Sequence, residues 1–128
     1  MIRKTSVHTE KAPKGPYSQA VVVESGRLVF ASGQLPVDPT TGNVVEGGIE
    51  TQTEWVLKNL EAVLSEAGSG LSKAVKTMVF LKNMDDFAVM NRIYVTFFKT
   101  QPPARSTVQV ARLPKDVLIE IECVALAD

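Results

Sequence analysis

A chain of 128 residues, 45% of them hydrophobic and 22% charged, is long enough to bury a core without staples and too apolar to remain disordered. Its 14 basic and 14 acidic residues cancel, so no overall field draws it to nucleic acid or to an anionic membrane. One cysteine, Cys123, and one histidine, His8, exclude an intrachain disulfide and a Cys/His zinc centre, and the cysteine usage fits a reducing compartment.

Residues 1–6 are basic but lack the apolar run of a secretory signal. Their Arg, Lys, Thr and Ser content has a transit-peptide flavour, which Glu10, Pro13 and Pro16 interrupt. The expected location is the cytoplasm, with the mitochondrial matrix as the alternative. Apolar runs reach only four or five residues, far short of a membrane span. Residues 20–24 and 27–32 are β-branched or apolar runs separated by Ser25 and Gly26, which predicts a β-hairpin. Asp-Pro-Thr-Thr-Gly at 38–42 reads as a turn. Residues 49–67 carry Val56, Leu57, Leu60, Val63 and Leu64 at helical spacing and stop at Gly68. Residues 73–82 alternate as a strand, and 85–99 return to helical spacing through Phe87, Met90, Asn91, Tyr94, Phe97 and Phe98 until Pro102 and Pro103 end the run. Two further strands follow at 105–111 and 117–127. The order β-β-α-β-α-β-β predicts a single α+β domain over 1–128, one sheet with both helices on one face. The other face then meets water or another subunit.

Several polar residues stand where apolar ones are expected. In the last strand Val117, Ile119, Ile121 and Cys123 point to one side, and Leu118, Glu120, Glu122, Val124 and Leu126 to the other. Two carboxylates among apolar neighbours read either as a partly solvated sheet face or as a cleft in which one becomes a tunable acid or base. Arg105 shares a face with Thr107 and Gln109. It is either a solvated strand-end residue or a planar fork placed to grip a carboxylate. Asn91 lies in the apolar stripe of the second helix and needs partners, from backbone or from ligand. Gly-Pro-Tyr-Ser at 15–18 and Ser-Gly-Gln at 32–34 shape backbone for close approach. His8 reads as a solvated tail residue, and Cys123 as a small core residue. Phosphate-loop, dinucleotide, nucleophile-elbow and EF-hand motifs are absent.

Taken together, these segments resemble the YjgF/YER057c/UK114 family, in its reactive intermediate deaminase (RidA) branch. The resemblance runs nearly end to end. It rests on Ala-Pro-Lys-Gly-Pro-Tyr-Ser-Gln at 12–19, Ser-Gly-Gln-Leu-Pro at 32–36, Val-Lys-Thr-Met-Val-Phe at 75–80, and Asp86-Phe87 with Asn91. Pro-Ala-Arg-Ser at 103–106 and Val-Ala-Arg-Leu-Pro-Lys-Asp-Val at 110–117, leading into Ile-Glu-Ile-Glu at 119–122, complete it. The resemblance implies a chorismate-mutase-like fold and a homotrimer with clefts between subunits. It implies hydrolysis of small enamine or imine acids, such as 2-aminoacrylate, 2-iminopropanoate or 2-iminobutanoate, to 2-keto acids and ammonia. No cofactor or metal is implied, and the zero net charge gives no expectation of a nucleic-acid or membrane partner. Carried over by position, Arg105 binds the substrate carboxylate and Glu120 holds the water or shuttles a proton. Tyr17 lines the cleft from the neighbouring subunit, and Ser32, Gly33, Asn91 and the backbone of Thr107 shape it. Many relatives have cysteine at position 107, so thiol chemistry does not carry over. The chemistry agrees: an imine is already electrophilic, and its hydrolysis needs positioning, a water and modest proton transfer rather than a strong nucleophile. Relatives have also been described as endoribonucleases or translation inhibitors, and a keto-acid-binding or chaperone-like role without turnover is a further alternative.

Overall fold

The computed structural model describes residues 3–128; Met1 and Ile2, which open the basic N-terminal stretch, lie outside it. The elements in order are β1 (Lys4–Val7), β2 (Ala20–Val23), β3 (Arg27–Gln34), α1 (Ile49–Glu66), β4 (Ala74–Leu81), α2 (Phe87–Phe97), β5 (Ala104–Gln109) and β6 (Ile119–Ala127). Short 3₁₀ turns at Leu71–Lys73, Met84–Asp86 and Pro114–Asp116 precede β4, α2 and β6. The α+β class stands as expected, with one more strand than expected, since Lys4–Val7 is paired rather than a free tail. Among the described residues no helix is long and apolar enough to cross a membrane.

The main sheet has four strands in the order β3-β6-β4-β5, antiparallel except for the parallel β4/β5 pair. α2 supplies the crossover that a parallel pair requires. The expected hairpin at Ser25 and Gly26 does not form. Instead β2 pairs with β1 in a separate ribbon, Thr5 opposite Val22, while β3 pairs with β6, Val29 opposite Ala125. The reason is local. A two-residue hairpin turn needs positive φ at both central residues or at the first, and here only the second, Gly26 at φ +123°, has it. The chain therefore leaves the ribbon and enters the sheet.

Both helices cover one face of that sheet. Val56, Leu57, Leu60 and Leu64 of α1 and Met90 and Tyr94 of α2 pack with Val79, Leu81, Ile119 and Ile121 in one buried cluster. α1 ends where its spacing predicts: Gly68 takes φ +76° and the Ser69 N–H bonds back to the Leu64 carbonyl at 2.8 Å. The alternation expected along β6 holds through Cys123, buried with Ile119 and Ile121. Leu126, expected to point outward, is buried near the strand end. The face away from the helices keeps exposed apolar side chains, Phe30 (74% exposed) foremost, with Leu28 and Val108.

Candidate active site

Arg105 enters β5 directly after Pro102, Pro103 and Ala104, opposite Thr77 of β4. Thr77 is fully buried and shares a 2.7 Å hydrogen bond with the Tyr94 hydroxyl of α2, so this side of β5 is the helix side. The Arg105 guanidinium carbon lies 4.8 Å from the Tyr94 ring centroid, 5.7 Å from Phe87 and 5.9 Å from Tyr17. Such cation–π contacts hold the group in place without neutralising it. One of its terminal nitrogens lies 3.9 Å from the Met90 sulfur, a weak acceptor. Among the described residues, no carboxylate forms an ion pair with Arg105. Burial pulls its pKa down, opposed by Tyr94 and Tyr17. Tyr94 itself is pushed up to about 12, chiefly by burial, and keeps its proton.

Tyr17 reaches this group from its own chain, whereas the family resemblance implied a neighbouring subunit. The cause is Ser18. Its N–H donates to the Pro103 carbonyl at 3.1 Å, and its hydroxyl contacts the Pro102 carbonyl and, at 2.8 Å, the Ser6 hydroxyl. These bonds stitch the 15–18 loop onto the segment that leads into Arg105. Gly15 is required there, because a Cβ at that position would overlap the Tyr17 ring. Gln19 closes the loop from behind by donating to the carbonyls of Thr9, Ala12 and Pro13. Sequence reasoning missed the positioning roles of Ser18 and Gln19; their polarity inside a Pro/Gly-rich segment was the available signal.

Asn91 and Thr107 belong to the same side. Thr107 pairs with core-facing Val79, and Asn91 lies one helical turn from both Phe87 and Tyr94. The Asn91 side-chain oxygen and the Thr107 hydroxyl are both buried without a hydrogen-bond partner. Buried polar atoms seldom remain so, which marks this wall as one with capacity to spare.

Glu120 stands elsewhere. It pairs with Phe80 of β4, and residues three apart on a strand face opposite ways, so Glu120 and Arg105 lie on opposite faces of the sheet. Gly33 sits in the β3 irregularity between Ala31 and Gln34, and a Cβ there would overlap the Glu120 carboxylate. The glycine gives that carboxylate its room, and exposed Ser32 precedes it. Burial and the neighbouring Glu122 charge both raise the Glu120 pKa, burial more. The predicted residues thus form two groups: Arg105, Tyr17, Asn91 and Thr107 on the helix side, and Glu120, Gly33 and Ser32 away from it. The first can orient an anion, and the second can hold and move a proton.

Cys123 is buried with its thiol pushed up to about 12, mainly by burial, so it stays protonated and inert. Among the described residues no three His, Cys, Asp or Glu side chains converge on a point that could hold a metal.

Comparison with known proteins places this geometry. The family model described as endoribonuclease L-PSP matches residues 8–127. A crystal structure of a candidate endoribonuclease from Thermotoga maritima superposes with a TM-score of 0.77 at 51% identity, covering 97% of this chain and 98% of that one. The chloroplastic Reactive Intermediate Deaminase A of Arabidopsis thaliana is 48% identical over 97% of this chain and 66% of its own length. E. coli TdcF, solved with bound serine, gives a TM-score of 0.75 at 40% identity over 97% and 99% of the two chains.

Proposed function

The chain belongs to the endoribonuclease L-PSP (YjgF/RidA) family, which includes reactive intermediate deaminases, and from that premise we propose that it hydrolyses small 2-imino acids and their enamine tautomers to 2-keto acids and ammonia. The observation that carries this reading is Arg105: a guanidinium framed by three rings, with no carboxylate among the described residues paired to it. A substrate carboxylate completes that arrangement with two parallel hydrogen bonds. The serine bound to TdcF, an amino acid with an α-carboxylate, supports a ligand of this shape.

With the carboxylate fixed, water adds to the imine carbon and gives a carbinolamine. Glu120 accepts a proton from the water as it adds and passes it to the nitrogen, then relays the carbinolamine hydroxyl proton the same way, so that the C–N bond breaks, ammonia leaves and the carbonyl forms. An enamine enters the same path once its terminal carbon is protonated to the imine. Because Arg105 and Glu120 face opposite ways in one chain, a site using both joins two chains. We therefore read the assembly as a homotrimer with clefts between subunits, Arg105 and Tyr17 on one wall and Glu120 and Gly33 on the other. The test generates 2-iminopropanoate in situ with an amino-acid oxidase and follows its disappearance by semicarbazide trapping. Added protein should shorten the lifetime of the imine in proportion to its concentration. An unchanged lifetime overturns the reading in favour of binding without turnover.

A further inference from the structure

Four cations converge at a second place in the chain, whose lining includes none of the residues grouped around Arg105. Arg3, Lys4, Arg27 and Lys73 come from the two strand starts of β1 and β3 and from the turn before β4, and they line one concavity of about 770 Å³. Among the described residues, its only acidic side chain is Asp128. In a chain of zero net charge such a concentration is a local construction. The volume lies within the range of about 300–1,000 Å³ used for small organic ligands. We propose that this basin binds a small organic phosphate monoester, independently of the imine reaction.

The cations are held in place before any ligand arrives. The Arg3 guanidinium contacts the Ala127 carbonyl and lies over Gly26, where any Cβ would collide with it. The Lys4 ammonium donates to the carbonyls of Ala74 at 2.7 Å and Gln101 at 3.2 Å. Arg27 reaches the main-chain oxygen of Asp128 through two nitrogens.

Asp128 shows what the basin accepts. Both of its carboxylate oxygens take the Lys73 ammonium at 2.7 Å, and one also takes Arg3 at 3.4 Å. Even with the Asp128 main-chain carboxyl, which Arg27 holds, counted beside its side chain, two negative groups against four cations leave positive charge in excess. A phosphate dianion, with three terminal oxygens, matches the two forks and the ammonium better than a second carboxylate would. Burial lowers the Lys4 pKa, a desolvation penalty that an arriving anion relieves. Leu126, Ala127 and Gly26 supply an apolar floor for the organic part of the ester.

The test is calorimetric titration of the intact protein at low ionic strength with phenyl phosphate and, separately, inorganic phosphate. Phenyl phosphate should saturate at one per chain and bind more tightly than inorganic phosphate, whose oxygens use the cations but not the floor. Arg27→Gln and Lys73→Gln should each weaken binding about tenfold or more, the loss of one charge-assisted contact. Asp128→Asn should strengthen it, since the built-in competitor loses its charge. Imine hydrolysis should be unchanged in Arg27→Gln. Three results overturn the proposal: no saturation in the parent or in Asp128→Asn at millimolar ligand; equal binding in parent and Lys73→Gln; or loss of binding in Arg105→Ala, which would place the phosphate at the other site. None of these outcomes bears on whether the protein hydrolyses imines.

Discussion

Packing a guanidinium among rings with no carboxylate beside it costs hydration that an arriving anion restores. That imbalance at Arg105 gives the first prediction. Truncating one member of a desolvated charge pair costs about 2–5 kcal/mol, or roughly 30- to several-thousand-fold in kcat/KM. Arg105→Ala should therefore lose nearly all imine hydrolysis while staying folded, and Arg105→Lys should recover only part, because an ammonium lacks the fork. Hydrolysis within a few-fold of the parent would make Arg105 a strand-end residue of no catalytic consequence. Glu120 gives the second. Its carboxyl ionises at higher pH than an ordinary one, partly because ionising it sets a second negative charge beside Glu122. If the ionised form accepts the proton, the acid limb of kcat/KM lies at higher pH than an ordinary carboxylate would place it, and activity falls as pH drops through it. Removing the neighbouring charge makes ionisation easier, so Glu122→Gln should move that limb to lower pH with turnover retained, whereas Glu120→Gln should abolish the limb and slow turnover. A limb that stays in place in Glu122→Gln would show that some other group titrates.

At the scale of elements, the β3 irregularity at Ser32 and Gly33 is where backbone geometry meets chemistry. No positive φ forces glycine at position 33; the constraint is the Glu120 carboxylate that a Cβ would strike. Gly33→Ala should therefore leave thermal stability nearly unchanged while lowering kcat, because the carboxylate must swing away. Equal kcat with a depressed melting temperature would make the glycine structural instead. The elements themselves were largely legible in the sequence. Helical spacing located both helices within two residues at each end, because an apolar stripe is a local property of the chain. Alternation sorted Ile119, Ile121 and Cys123 from Glu120 and Glu122 correctly for the same reason. What failed was pairing. A strand's partner is fixed by long-range hydrogen bonds, and Lys-Thr-Ser-Val at 4–7 carries too little apolar alternation to announce a strand. The candidate site residues could be named from motifs, but not their grouping on the two faces of the sheet. Whether Tyr17 meets Arg105 of its own chain depends on Ser18 reaching Pro102 and Pro103, a contact spanning more than eighty positions.

At the scale of the whole molecule, the one-sided distribution of helices goes with both the exposed Phe30, Leu28 and Val108 and the placing of Arg105 and Glu120 on opposite faces of the sheet. A sheet covered once has a second apolar face to bury, and closing that face against other copies is the economical solution for a symmetric ring. The same closure would bring the Glu120 side of one chain toward the Arg105 side of the next. Light scattering at micromolar concentration should give three times the chain mass, and Phe30→Glu should lower it by placing a charge in the interface. Mixing provides the sharper test. Arg105→Ala and Glu120→Gln are each expected to be strongly impaired alone. When they are unfolded together and reassembled at equal amounts, a site built across two chains is intact wherever an Arg105 donor stands next to a Glu120 donor in the right order, about a quarter of the interfaces for random assembly. Activity should return to about that fraction of the parent value, well above that of either protein alone. A site contained within one chain admits no such rescue, since every chain in the mixture carries one lesion. Co-assembled trimers that stay inactive would thus separate the two parts of the reading: the trimer would stand, and the shared cleft would fall.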